Sequence, residues 1–203
     1  MQFPSFFRDV PRIKVRDPLA QFLGAVEDGV LEYGYEDAVK LAGHSCPTVA
    51  SAYRLTCLAL AALYPDELPE RGGIAVEFRN RVEDGVTGVI ASVVTLLTGA
   101  AREGGFKGIG GQFVRRDLLE FEVELPATMR FVRLDTGASV DAEASLAHVP
   151  ADPEMSPLMA RCVEDEASPE EQRMFATMWQ DRVRRILIDH ADDPRVFRVR
   201  PAG

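Results

Sequence analysis

A chain of 203 residues with 46% hydrophobic and 27% charged residues has ordinary globular composition, which excludes wholesale disorder and collagen-like or low-complexity architectures. At this length roughly 70% of the unfolded surface leaves water on folding, so a core forms without disulfides or a structural metal. The formal charge of −9, from 23 Lys plus Arg against 32 Asp plus Glu, argues against nucleic acid as a partner, because phosphate-backbone binders gain affinity by releasing counterions from clustered cations.

The three cysteines, Cys46, Cys57 and Cys162, are odd in number and form no CxxC, which fits a reducing compartment. The opening MQFPSFFRDVPRIKVRDP has charges every few positions and no apolar run of signal-peptide character. The longest apolar stretch, Val86 to Ala101, is shorter and more polar than the ~20 residues that span a bilayer. A cytoplasmic protein with no membrane partner is expected, with a core domain over 1–149 and a C-terminal helical extension over 150–203 packed on it.

In chain order, Asp17-Pro18 has the form of an N-cap followed by Pro at the first helical position. Leu19, Phe22, Leu23 and Val26 then recur at helical spacing, with Gly29 as the stop. A short helix over Asp37 to Leu41 leads into Gly43-His-Ser-Cys-Pro47, and a well-buried helix runs from Pro47 to just before Pro65. Gly73 to Arg79 alternates as a strand, and Val86 to Leu97 is a core helix stopped by Gly99. On that helix Gly88, Ala91, Ser92, Thr95 and Gly99 share one side, a stripe that permits close backbone approach or leaves room for a ligand.

After the glycine-dense loop Gly104 to Gly111, a meander is expected. Phe121, Val123 and Leu125 alternate with glutamates, and two further strands flank the turn Asp135-Thr-Gly137. Ser168-Pro-Glu-Glu171 is a capping box opening an amphipathic helix that reaches His190, and Val196 to Val199 is strand-like. The fold class is α+β: helices packed on a mixed or mostly antiparallel sheet, with an added C-terminal amphipathic helix.

The sharpest chemical feature is His44-Ser45-Cys46. Cys46 falls where a helix N-cap belongs, and the unpaired N–H groups and positive dipole end there favour an anion. A thiol so placed is a candidate nucleophile, and His44 is a candidate base or second soft ligand. A zinc site needs about four ligands, or three plus water, and HxC supplies two. The plain alternative is an inert core cysteine and a histidine bonded to backbone. The loop with Lys107 and Gly108 has the glycine density to cradle an anion through backbone N–H groups, although neither the P-loop nor the GxGxxG spacing is present. Its plain alternative is a flexible connection. Cys57 is expected in the core.

Gly43-His-Ser-Cys-Pro47, running into a helix with Tyr53-Arg54, resembles the GHxCPG…GxR motif of the FmdE-like family, whose namesake is a component of formylmethanofuran dehydrogenase. Asp84-Gly85, an apolar helix ending in Thr98-Gly99 and a glycine loop with Lys107-Gly108 resemble the second half of the same domain, so the likeness covers roughly residues 17 to 145. It implies an α+β core, a homodimer, and a thiolate or metal site, zinc or another divalent ion, at His44 and Cys46. It implies no particular reaction, since many bacterial members lack the methanofuran pathway. Three positions depart from the pattern: Thr48 replaces a glycine, Val86 a cysteine, and Ser92 or a neighbour an acidic residue. The C-terminal zinc finger of some relatives is missing, because Cys162 is the only cysteine after residue 57.

Two functions follow. In the first, Cys46 and His44 are the candidate catalytic or metal-binding pair at the mouth of a pocket, with Thr48, Ser92, Lys107 and Gly108 as ligand-binding residues for a small anion. In the second, the chain is a non-catalytic binding or assembly module in which the pair is structural or braces the helix start through a metal.

Overall fold

The protein is described by a computed structural model that covers residues 2–203. Its organising element is α3 (Pro47–Leu63), an apolar helix buried on nearly every face. α2 (Tyr35–Ala42) and α4 (Thr87–Thr98) pack beside it. Beneath it lies a five-stranded sheet in the order β4-β3-β5-β6-β7, formed by β3 (Ile74–Phe78), β4 (Leu119–Glu120), β5 (Met129–Arg133), β6 (Ser139–Ala144) and β7 (Phe197–Pro201). Only the β3–β4 pair is parallel. The fold class is therefore α+β with a mixed, mostly antiparallel sheet.

Register explains why the sheet has one dry face. Val76, Phe131 and Val140 stand opposite one another across three strands, as do Phe78, Met129 and Ala142, and all six are buried. Because side chains alternate along a strand, the intervening positions form a polar ladder on the other face. Glu77 lies opposite Arg130, which forms a bidentate pair with Asp141 at 2.7 and 3.1 Å.

A two-stranded antiparallel ribbon, β1 (Ile13–Arg16) and β2 (Val30–Tyr33), precedes the core. Tyr53 on α3 anchors it through a hydroxyl whose one proton is shared between the carbonyls of Pro11 and Tyr33, at 2.9 and 3.1 Å. At the other end of the chain, α5 (Met155–Val163) packs on α6 (Pro169–Arg184), which widens to π geometry over Arg185–Asp189. The Ser168–Glu171 capping box closes in both directions, at 3.3 and 2.7 Å. β7 then pairs with β6, so the C-terminal extension completes the sheet of the core.

Two expectations need correction. Asp17 does cap a helix, accepting the Ala20 N–H at 3.0 Å, but α1 (Pro18–Phe22) ends long before Gly29. Phe22 and Leu23 are 62% and 61% exposed, so their spacing reflects no buried face. Residues 121–125 form no strand, because Glu122 takes φ +62° and turns the chain after only two paired residues of β4. Of the two readings of the small-residue stripe on α4, close approach is the one seen at Gly88 and Gly99: a Cβ at Gly88 would lie 3.1 Å from the Val82 carbonyl, and one at Gly99 would lie 3.1 Å from Arg71 Cγ. The β1–β2 ribbon and α5 were not expected: with four residues in each strand and nine in the helix, their alternation and apolar face are too short to stand out. No helix among the described residues is long and apolar enough to cross a membrane.

Leu60→Ala, at a fully buried position of α3, is expected to cost about 2–5 kcal/mol in urea denaturation, whereas Val163→Ser, at an exposed position of α5, is expected to stay within about 0.5 kcal/mol of the parent.

Candidate functional site at the start of helix α3

The Gly43–Pro47 motif is the joint between two helices. Gly43 ends α2 at φ +76°, donating its N–H to Val39 at 2.8 Å, and a Cβ there would meet nothing within 4 Å. The glycine is thus needed for its left-handed backbone rather than for space. Three residues on, Cys46 is the N-cap of α3: its Sγ accepts the Val49 N–H at 3.4 Å, and its carbonyl accepts from Ala50 at 2.9 Å. Pro47 fills the first helical position, where a missing N–H costs nothing.

Between them Ser45 is held from several sides. The Tyr35 hydroxyl lies 2.9 Å from Ser45 Oγ, which donates to Gln180 Oε1 at 3.0 Å. Burial drives the Tyr35 phenol well above its ordinary range, so the hydroxyl keeps its proton and donates it. The Ser45 carbonyl accepts from Trp179 Nε1 at 2.9 Å and Gln180 Nε2 at 3.3 Å. Helix α6 therefore fixes the joint. Sequence inspection missed Tyr35, Trp179 and Gln180 in this role because they lie 10 to 135 residues away in sequence and form no motif.

His44 is exposed, with Nδ1 at 2.9 Å from the Ala42 carbonyl. A carbonyl accepts only, so Nδ1 carries hydrogen and Nε2 of the neutral ring keeps its lone pair. Cys46 is 9% exposed. The pair supplies two soft donors, and no group of three or more His, Cys, Asp or Glu able to hold a metal occurs among the described residues. This donor set falls short of a zinc site within one chain.

The remaining candidates separate. Thr48 lines a cavity of about 200 Å³ between α3, α4 and the sheet, together with Ser51, Leu55, Val86, Ile90 and Met129. Ser92 is exposed on α4 and donates to its own helix at Gly88 (2.9 Å), away from that lining. Lys107 and Gly108 belong to the distant loop, where Lys107 is exposed and Gly108 packs so closely that a Cβ would lie 2.4 Å from the Gln112 carbonyl. Thus Thr48 joins the helix start, whereas Ser92, Lys107 and Gly108 are not brought to it. Cys57 is buried in the core as expected, and desolvation pushes its thiol up to about 12.

A second polar cluster was hidden in what reads as a plain N-cap. The Asp17 carboxylate, 2% exposed, bonds Arg71 Nη1 at 2.9 Å and Arg115 Nη2 at 2.5 Å as well as the Ala20 N–H. Burial alone would raise its pKa, but the Ala20 N–H and the two guanidinium groups outweigh burial and hold the carboxyl below its ordinary range. Compared with known proteins, the chain matches no family model and no curated protein.

Trp179→Phe keeps an aromatic ring and removes the donor to Ser45, and is expected to cost about 1–2 kcal/mol of stability without loss of helical circular dichroism. Because Asp17 is depressed in the fold, its stabilisation is present above the unfolded pKa and lost as pH falls through the folded value. The urea midpoint is expected to drop below about pH 4, with a shallower slope in Asp17→Asn.

Proposed function

We propose that the chain is an FmdE-like protein of unassigned reaction whose reactive group is the Cys46 thiol at the start of α3. The observation that carries this is the Val49 N–H directed at Cys46 Sγ at 3.4 Å, at the first turn of a 17-residue helix. A donated N–H and the positive end of the helix macrodipole both favour negative charge on sulfur, the form that attacks electrophiles and binds metals. His44, an exposed side chain whose Nδ1 is taken by the Ala42 carbonyl, is the companion base or second donor through Nε2. Thr48 and the apolar cavity beside it would receive the body of a substrate. A divalent metal enters only with donors from outside the chain, such as a second copy in the homodimer that the family resemblance implies.

The same joint favours a second function, a non-catalytic binding or assembly module. Its support is that Cys46 is buried and Ser45 is bonded to Tyr35, Trp179 and Gln180, so the motif braces α6 against α3.

Alkylation by iodoacetamide at neutral pH, followed by peptide mass spectrometry on the folded protein, separates the two. For a reactive site Cys46 is expected to label faster than Cys162 and far faster than Cys57. Labelling of Cys46 no faster than Cys57, with Cys46→Ser as stable as the parent, would leave the module.

A further inference from the structure

The segment that follows the glycine loop, residues 112–115, and Arg71 of the Asp17 cluster line one cavity remote from the start of α3. We propose that this cavity binds a small oxyanion, a carboxylate or phosphate group, through Arg71 and Arg115. The assignment is independent of any role for Cys46.

Four observations carry it. First, Asp17 is a single buried carboxylate shared by two guanidinium groups, whose side chains are only 16% and 13% exposed. One positive charge is left over where desolvation makes an unbalanced charge costly. Glu70, on the rim of the same cavity, is exposed and forms no ion pair with either arginine among the described residues. Second, Arg115 Nε is buried and has no hydrogen-bond acceptor, the only such side-chain atom among the described residues. Native structures rarely leave a buried donor unpaired, so the cluster is short of one acceptor as well as one negative charge. Third, Arg71 and Arg115 both line a cavity of about 260 Å³, together with Pro18, Gln112 and Phe113. The planar guanidinium fork matches the oxygens of carboxylate and phosphate. Fourth, Phe113 is held at φ +60°, a strained backbone that in non-glycine residues concentrates at ligand clamps.

The loop's glycines acquire a purpose from this placement. Gly105 and Gly108 approach the Arg116 backbone and the Gln112 carbonyl too closely for a Cβ, and that packing holds the segment from which Arg115 reaches Asp17. The exposed Lys107, the cation that the loop sequence offers for anion binding, lies outside the cavity lining.

The test titrates the full chain with sodium phosphate and, separately, sodium acetate at ionic strength held constant with sodium chloride. Melting temperature and the arginine Nε–H signals in ¹⁵N–¹H spectra are followed. A saturable rise in melting temperature with at least one of the two salts is expected, together with a shift of one arginine Nε–H signal over the same concentration range. The tighter salt identifies the oxyanion. Arg115→Gln is expected to weaken the midpoint at least tenfold. Should that variant fail to fold, Val114→Trp, at an exposed wall position of the cavity, is expected to do the same by filling it. A response that never saturates, or a midpoint unchanged in the folded variants, would overturn the assignment.

Discussion

Helix α3 is buried around almost its whole circumference, and that burial places a demand on its first turn. A helix begins with N–H groups that have no partner within it, and a buried start cannot leave them to water. Cys46 supplies sulfur to Val49, Pro47 has no N–H to satisfy, and Ser45 is tied by Tyr35, Trp179 and Gln180. With the start held, Tyr53 and Arg54 farther along α3 can reach opposite ends of the chain. Tyr53 binds the carbonyls before and within the β1–β2 ribbon, and Arg54 binds the Ala191 carbonyl and Asp192 near the C-terminus. The helix thus couples the N-terminal ribbon, the sheet and the C-terminal helices.

The chemistry proposed for Cys46 and the architecture around it draw on the same interaction. A hydrogen bond that satisfies the Val49 N–H also places positive potential at the sulfur. The structural cap and the proposed reactivity therefore rest on one contact, and accessibility decides between them. The pairing of a buried cysteine with an exposed histidine two residues away keeps both open, since one side chain faces the core and the other faces solvent.

The Asp17 cluster shows a different economy of charge. One carboxylate organises a helix start, the arginine that precedes β3, and the arginine that follows the glycine loop. Such a cluster resists loop opening because removing any member strands the others in a low dielectric. Its surplus positive charge and the unpaired Arg115 Nε distinguish it from a closed ion-pair network.

Local chemistry made much of this protein legible from its residues. Gly43, Cys46-Pro47, Asp17-Pro18 and Ser168 to Glu171 mark helix ends because capping depends on neighbours within three or four positions, and each acts as a cap in the structure. The apolar runs that became α3, α4 and β3 were equally plain, since their periodicity is intrinsic. Residues 18–29 and 121–125 misled for the converse reason: spacing alone cannot tell that Phe22 faces solvent or that Glu122 turns the chain. The site divides in the same way. That a cysteine and a histidine flank a helix start could be read from the residues, because it is a matter of adjacency. That Trp179 and Gln180 lock this start, that Ser92 and Lys107 lie elsewhere, and that Arg71 and Arg115 converge on Asp17 emerged only from the packed chain, because contacts between distant segments depend on how the elements assemble.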